Sequence, residues 1–250
     1  MRKSLSRIRI LTGRNLKEII RDPLSLIFTI LMPLFLEILF YFIFHGMTDQ
    51  FEMKYLAPGI VVFSQAFLTL FTGMLISVDR ETSFLTRLYV SPARPYEFIF
   101  SYAIAVLPIT IVQSVLFFSV GVIIEPSLFS AGIICAIPLS LVTSLFFIAA
   151  GILFGSLCSG KAIGGVASIV IAGQSVLSGM WFPVEGLNPT ILKLMNVLPF
   201  KNATTLIQNV VIGTGVNFDS FWKPLLILAA YTIAVFAAAI LAFRAKMKEQ

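Results

Sequence analysis

The sequence predicts an all-α integral membrane protein with six transmembrane helices, and three observations carry that prediction. Apolar runs at 24–44, 56–78, 96–124, 130–157, 162–182 and 221–243 each reach the roughly 20 residues a helix needs to cross a hydrocarbon core at ~1.5 Å per residue. Hydrophobic residues make up 58% of the chain and charged residues 12%, and the mean hydropathy of +0.97 lies outside the usual soluble range. The 18 Lys and Arg residues are also unevenly placed. Fourteen precede the first run, join the second to the third and the fourth to the fifth, or follow the sixth, whereas only Lys54, Lys193, Lys201 and Lys223 occupy the alternate connections. Backbone polar groups inside lipid must be satisfied within their own segment, so such runs fold as helices. The basic excess then predicts that both termini are cytoplasmic. It also makes the net charge of +6 a topology signal and argues against a nucleic-acid partner.

Residues 1–22 come before the first run and are periodic rather than uniformly apolar. Leu5, Ile8, Thr12, Leu16, Ile19 and Ile20 share one helical face, while Lys3, Arg7, Arg14, Lys17 and Arg21 share the opposite one. A basic amphipathic helix lying in the membrane interface is expected, its bases toward anionic lipid headgroups. The apolar run behind it is too long for a cleavable secretory signal. Asp22-Pro23 starts the first span, with Asp as cap and Pro at the first helical position.

The inner connection 79–95 is not plain linker. Asp79-Arg80-Glu81 precedes Phe84-Leu85-Thr86-Arg87-Leu88-Tyr89-Val90, in which Phe84, Leu85 and Leu88 fall on one face before Ser91-Pro92 ends the pattern. Such a helix can dock a partner or tuck under the bundle, and periodicity does not choose between these. Gly155 through Lys161 looks like a phosphate-binding loop. However, a membrane span precedes it instead of a β-strand, and Ala162 supplies no hydroxyl for Mg²⁺. A tight turn is the better reading, and the chain is not expected to hydrolyse ATP itself.

The fifth run is rich in Gly, Ala and Ser, which let helix backbones approach where lipid provides no hydrophobic drive. Gly173-Gln174-Ser175 and Ser178-Gly179 invite a break there. The segment 183–220 is too apolar for a free loop and suggests short helices near 189–197 and 199–212, dipping into or lying on the outer leaflet. Four polar side chains fall deep in spans: Glu37, expected near the midplane, and Gln65, Gln113 and Gln174. A buried ionisable group either lines a pathway or bonds across helices. A single His45 provides no metal cluster, and Cys135 and Cys158 lie too far apart along the fourth span to bridge.

In this order, the elements resemble the ABC-2 type permease subunits of ATP-driven exporters. The likeness rests on Arg21-Asp22-Pro23, Tyr55-Leu56-Ala57-Pro58-Gly59, Asp79-Arg80-Glu81 with Leu85 through Pro92, Ser178-Gly179-Met180-Trp181-Phe182-Pro183, and Leu198-Pro199-Phe200 through Gly213. The family often has Gly-Thr after the Glu of the inner motif, where this chain has Ser83-Phe84. The resemblance implies a permease that dimerises with a second copy or paralogue and is driven by two cytoplasmic ABC ATPase subunits holding ATP and Mg. Residues Glu81, Phe84, Leu85, Arg87 and Leu88 would then belong to the coupling helix, braced by the N-terminal helix. Matching positions on the pathway between copies include Phe63, Phe67, Phe71, Ile171, Gln174 and Leu177, with Glu37 a further candidate. That apolar, aromatic lining implies export of a drug, lipid or lipid-linked glycan by alternating access. The expected location is the plasma (inner) membrane of a prokaryotic cell.

A self-sufficient secondary transporter or channel is the alternative. It would need inverted repeats and paired intramembrane charges, and the two halves show neither. A membrane enzyme would need His, Asp or Ser groups converging at one face, and the lone His45 argues against it.

Overall fold

The computed structural model describes residues 2–81, 94–184 and 186–248, and among these no strand occurs. The helices are α1 (Arg2–Arg21), α2 (Pro23–Phe44), α3 (Met53–Glu81), α4 (Pro95–Ile124), α5 (Ala131–Leu157), α6 (Gly160–Leu177), α7 (Pro189–Val197), α8 (Pro199–Ile212) and α9 (Lys223–Lys248). Six are long and apolar enough to span a membrane: α2 to α6, and α9 together with the π-helical turn Phe218–Trp222 before it. The chain is an all-helical integral membrane protein.

Local chemistry accounts for where the helices start. Asp22 accepts a hydrogen bond from the Ser25 amide and Pro23 occupies the first turn of α2. Pro95 opens α4, while Glu97 reaches back to the Arg94 amide at 3.1 Å. Asn188 caps α7 through the Thr190 amide at 2.9 Å, and α8 begins at Pro199 and ends at Gly213 in the left-handed region.

Helix α3 forms the axis of the bundle. In its most apolar stretch 83% of residues are buried, and α2, α4, α5, α6 and α8 pack around it. Its closest neighbour is α5, and glycine sets their separation. A Cβ at Gly151 would stand 2.6 Å from the Thr69 carbonyl oxygen, and one at Gly155 would stand 2.7 Å from that of Gly73. Dispersion at short range, rather than expulsion of water, holds such helices together in lipid. Polar bonds add register. Gln65 donates to the Ser140 carbonyl and accepts from Thr143, while Thr69 donates to the Phe147 carbonyl at 3.0 Å. By contrast only about a fifth of the residues in the most apolar stretches of α2, α6 and α9 are buried.

Helix α1 lies across one end of this bundle, against the start of α4 and the end of α3. Toward the opposite, far end, α7 and α8 form a helical pair. Phe200 packs edge-on against Phe146 near the middle of α5, whereas Gly132, at the start of α5, lies against Val210 and Val211. Helix α8 therefore climbs from mid-bundle to the far end. Helix α6 stops at Leu177, short of the apolar run read from the sequence. Gly179 turns the chain at φ +73°, and the Trp181 indole folds back to donate to Ser175 at 2.9 Å.

Candidate functional site

The last three residues of α3 each grip a different part of the bundle at the α1 end. Asp79 is fully buried. Both of its carboxylate oxygens accept from the Arg14 guanidinium, and one also accepts from the Tyr102 hydroxyl, so α3 is joined to α1 and α4 at a single side chain. Partial burial opposes the Arg14 charge, but hydrogen bonding and attraction from Asp79 prevail and hold the guanidinium above its ordinary value. Burial, reinforced by repulsion from Asp79, pushes the Glu18 carboxyl up even though Arg14 lies 2.9 Å away.

Arg80 points elsewhere. Its Nη1 donates to the carbonyls of Gly155, Ser156 and Cys158 at 2.9–3.0 Å, the orphan acceptors at the end of α5. Glu81 Oε1 accepts from the Gly160 amide at 3.3 Å, the first of α6. A cation thus sits at a helix C-terminus and an anion at the next helix N-terminus, each matching the sign of the helix dipole. Gly160 allows the close approach, since a Cβ there would stand 2.8 Å from Glu81 Oε1 and 2.9 Å from Ser77 Oγ. The glycines that resembled a phosphate loop serve packing against α3.

The beginning of α4 is tied to α1 as well. Arg7 pairs with the buried Glu97 at 3.3 Å, Ser4 meets the Tyr96 hydroxyl at 3.3 Å, and Asn15 and Thr12 donate to Ser101. Among the bases predicted for the interfacial helix, Arg7 and Arg14 are thus engaged by bundle carboxylates, while Lys17 and Arg21 are exposed. The apolar stripe also divides, because Ile19 is buried in the bundle while Leu5 and Ile20 are each 64% exposed. Phe84, Leu85, Arg87 and Leu88 lie outside the described residues, which stop at Glu81 and resume at Arg94.

A second feature lies beside this one. A cleft of about 500 Å³ opens between the end of α1, the first half of α2 and the second half of α3. Phe28, Met32, Phe67, Phe71 and Met74 form its apolar walls, and Glu18 and Asp22 stand at its α1 end. Two of the predicted pathway residues, Phe67 and Phe71, meet here. The others are dispersed. Phe63 is buried against Trp181 and Phe67, Ile171 packs on the core, Gln174 donates to Thr204 of α8 at 2.9 Å, and Leu177 ends α6. Glu37 is fully buried, with neither carboxyl oxygen partnered among the described residues. It sits beside Gly121, on the far-end side of the middle of α2. Asp79, Arg80 and Tyr102 were missed as separate anchors. The available signal was an acid-base-acid triplet closing an otherwise uncharged apolar helix.

The exposed face of α6 carries Gly164, Gly165, Ser168, Ile169, Ala172 and Val176 at helical spacing, and a Cβ added at either glycine would meet open space. Six spans around a buried axis, with their ionic anchors gathered at one end, define a polytopic helical membrane protein. The sequence profile of the ABC-2 type transporter family matches residues 6–212, and the chain belongs to that family. Its members are membrane permeases that work with an ATPase partner, generally as dimers, and the membrane subunit has no ATPase site of its own. No curated protein matches the sequence.

Proposed function

We propose that the chain is the membrane subunit of an ATP-driven exporter for an amphipathic or lipid-like substrate, working as a pair with a second copy or paralogue. The carrying observation is the way the residues flanking 82–93 are held. Asp79 just before it and Glu97 just after it are both ion-paired to α1, through Arg14 and Arg7. These two arginines lie seven residues apart, on one helix face, so α1 forms a crossbar between the two legs of the segment. A partner pressing on 82–93 therefore moves α1, α3 and α4 together. That mechanical arrangement suits a separate ATPase, which binds ATP and Mg and drives rocking of packed helices between two access states.

In this reading the α1 end and both termini are cytoplasmic, in the plasma (inner) membrane of a prokaryote, as the basic excess at that end supports. Phe84, Leu85 and Leu88 supply apolar knobs and Arg87 a charge for the ATPase, with Glu81 at the root of the segment. The small-residue face of α6 is a close-approach surface for the second copy. The cleft lined by Phe67 and Phe71 is wide and apolar enough for one hydrocarbon arm and opens at the inner leaflet. It supports an amphipathic cargo over a small ion.

The test is a tagged pull-down from native membranes in mild detergent, with Phe84→Asp/Leu88→Asp as the control. The expected result is a copurifying ABC ATPase in equal proportion, lost in the double variant while membrane insertion persists. A chain that is recovered alone after crosslinking, with no ATP hydrolysis, would overturn the reading.

A further inference from the structure

Arg80 and Glu81 lie at the junction between the segment assigned to the ATPase and the helix assigned to the second copy. Together they clamp a two-residue turn, Cys158-Ser159, that joins α5 to α6. Arg80 takes the carbonyl side of that turn and Glu81 the amide side. The turn has no other slack. Gly155 holds the end of α5 against the Gly73 backbone, and Gly160 holds the start of α6 against Ser77 and Glu81. Helix α6 also packs along α3, where Ile163 lies against Gly73, but it is at the base of α6 that α3 side chains hold the backbone of the α5–α6 turn by hydrogen bonds.

We infer that Arg80 and Glu81 are positioning residues that transmit displacement of segment 82–93 to α6, and so to the interface between copies, independently of the Asp79–Arg14 tie to the crossbar. This rests on the ATPase-driven reading above. In three consecutive residues α3 separates two outputs. Asp79 moves α1 and α4, and the Arg80–Glu81 pair moves the α5–α6 hairpin. An α3 side chain that only capped a neighbouring helix would add stability without changing how hydrolysis is converted to transport.

The experiment uses the complex of this chain with its ATPase, reconstituted in lipid vesicles. Arg80→Met keeps length and removes the donors, whereas Arg80→Lys restores a cation with three N–H groups. Gly160→Ala displaces Glu81 from the α6 amide without altering Glu81 itself. A spin label at Lys161→Cys, with Cys135 and Cys158 replaced by Ser, reports the distance between the two α6 bases with and without a non-hydrolysable ATP analogue. The wild-type background is expected to show an ATP-dependent shift that Arg80→Met and Gly160→Ala abolish and Arg80→Lys restores. Complex assembly and ATP hydrolysis by Arg80→Met are expected to be retained.

An unchanged ATP-dependent shift in both disrupting variants would overturn the inference. So would failure of both variants to insert, which would make the residues folding clamps only. A wild-type complex that assembles with no ATPase would instead defeat the reading on which the inference rests, and the two failures are therefore distinguishable.

Discussion

At the residue scale, Glu37 is the least satisfied group in the protein's described interior. Its carboxyl is fully buried beside Gly121, with no partner for either oxygen among the described residues. Leaving a buried polar group unpaired costs about 1–3 kcal/mol, so an apolar side chain of similar length should relieve that cost. Glu37→Met is expected to raise the thermal unfolding midpoint in detergent and to lower transport, because a costly group with no structural bond persists where function requires it. An unchanged or lower midpoint would mean that the carboxyl has a partner in the assembled membrane complex. Sequence reading located this residue because a single acid in an apolar run is conspicuous. Its depth was less legible. Length along α2 gives only the distance from the helix ends, and proximity to Gly121 places it on the far-end side of the middle. Gln65, Gln113 and Gln174 were equally conspicuous, yet each donates to a neighbouring helix, a distinction that only packing reveals.

At the element scale, α1 shows what periodicity conveys and what it omits. The two-faced pattern correctly marks an amphipathic helix, but the helix has three environments. Ile19 and Asn15 are buried in the bundle, Leu5 and Ile20 face outward as an apolar edge, and Lys17 and Arg21 are exposed on the remaining side. The hidden third face is polar, and no hydrophobicity pattern detects a helix that docks through Arg7–Glu97, Arg14–Asp79 and Asn15–Ser101. Arg14→Met should take the guanidinium away from the buried Asp79 carboxylate, a loss of about 3 kcal/mol by the usual cost of breaking a buried pair. Thermal unfolding in detergent measures it, and Arg14→Met/Asp79→Leu should recover most of the loss. Failure of the double variant to recover would locate the instability in lost packing of the arginine stem. The start positions of α7 and α8 were easier to read, because Pro189 and Pro199 mark them in the sequence.

At the scale of the whole molecule, the spans were legible because lipid enforces a length and a composition on each. Their arrangement was not. That α3 is the axis follows from how many helices press on it, and its glycine contacts with α5 are invisible in a hydropathy profile. Orientation is argued from charge alone, and it has a direct check. In a Cys135→Ser/Cys158→Ser background, Lys201→Cys should react with a membrane-impermeant maleimide added outside intact cells, and Lys161→Cys only after the inner face is opened. The reverse pattern would invert the charge argument and with it the assignment of the α1 end.

The packing of α8 bears on the route that the proposed transport would take. Ala203, Leu206 and Ile207 are fully buried as α8 rises from the middle of the bundle, and their neighbours on α3, α5 and α6 close around them. The centre of the far half of one copy is thus occupied by α8. Under the export reading proposed above, a molecule leaving on that side passes along the flank of the chain, against lipid or the second copy, and the shape of that flank sets the widest cargo the pair can release.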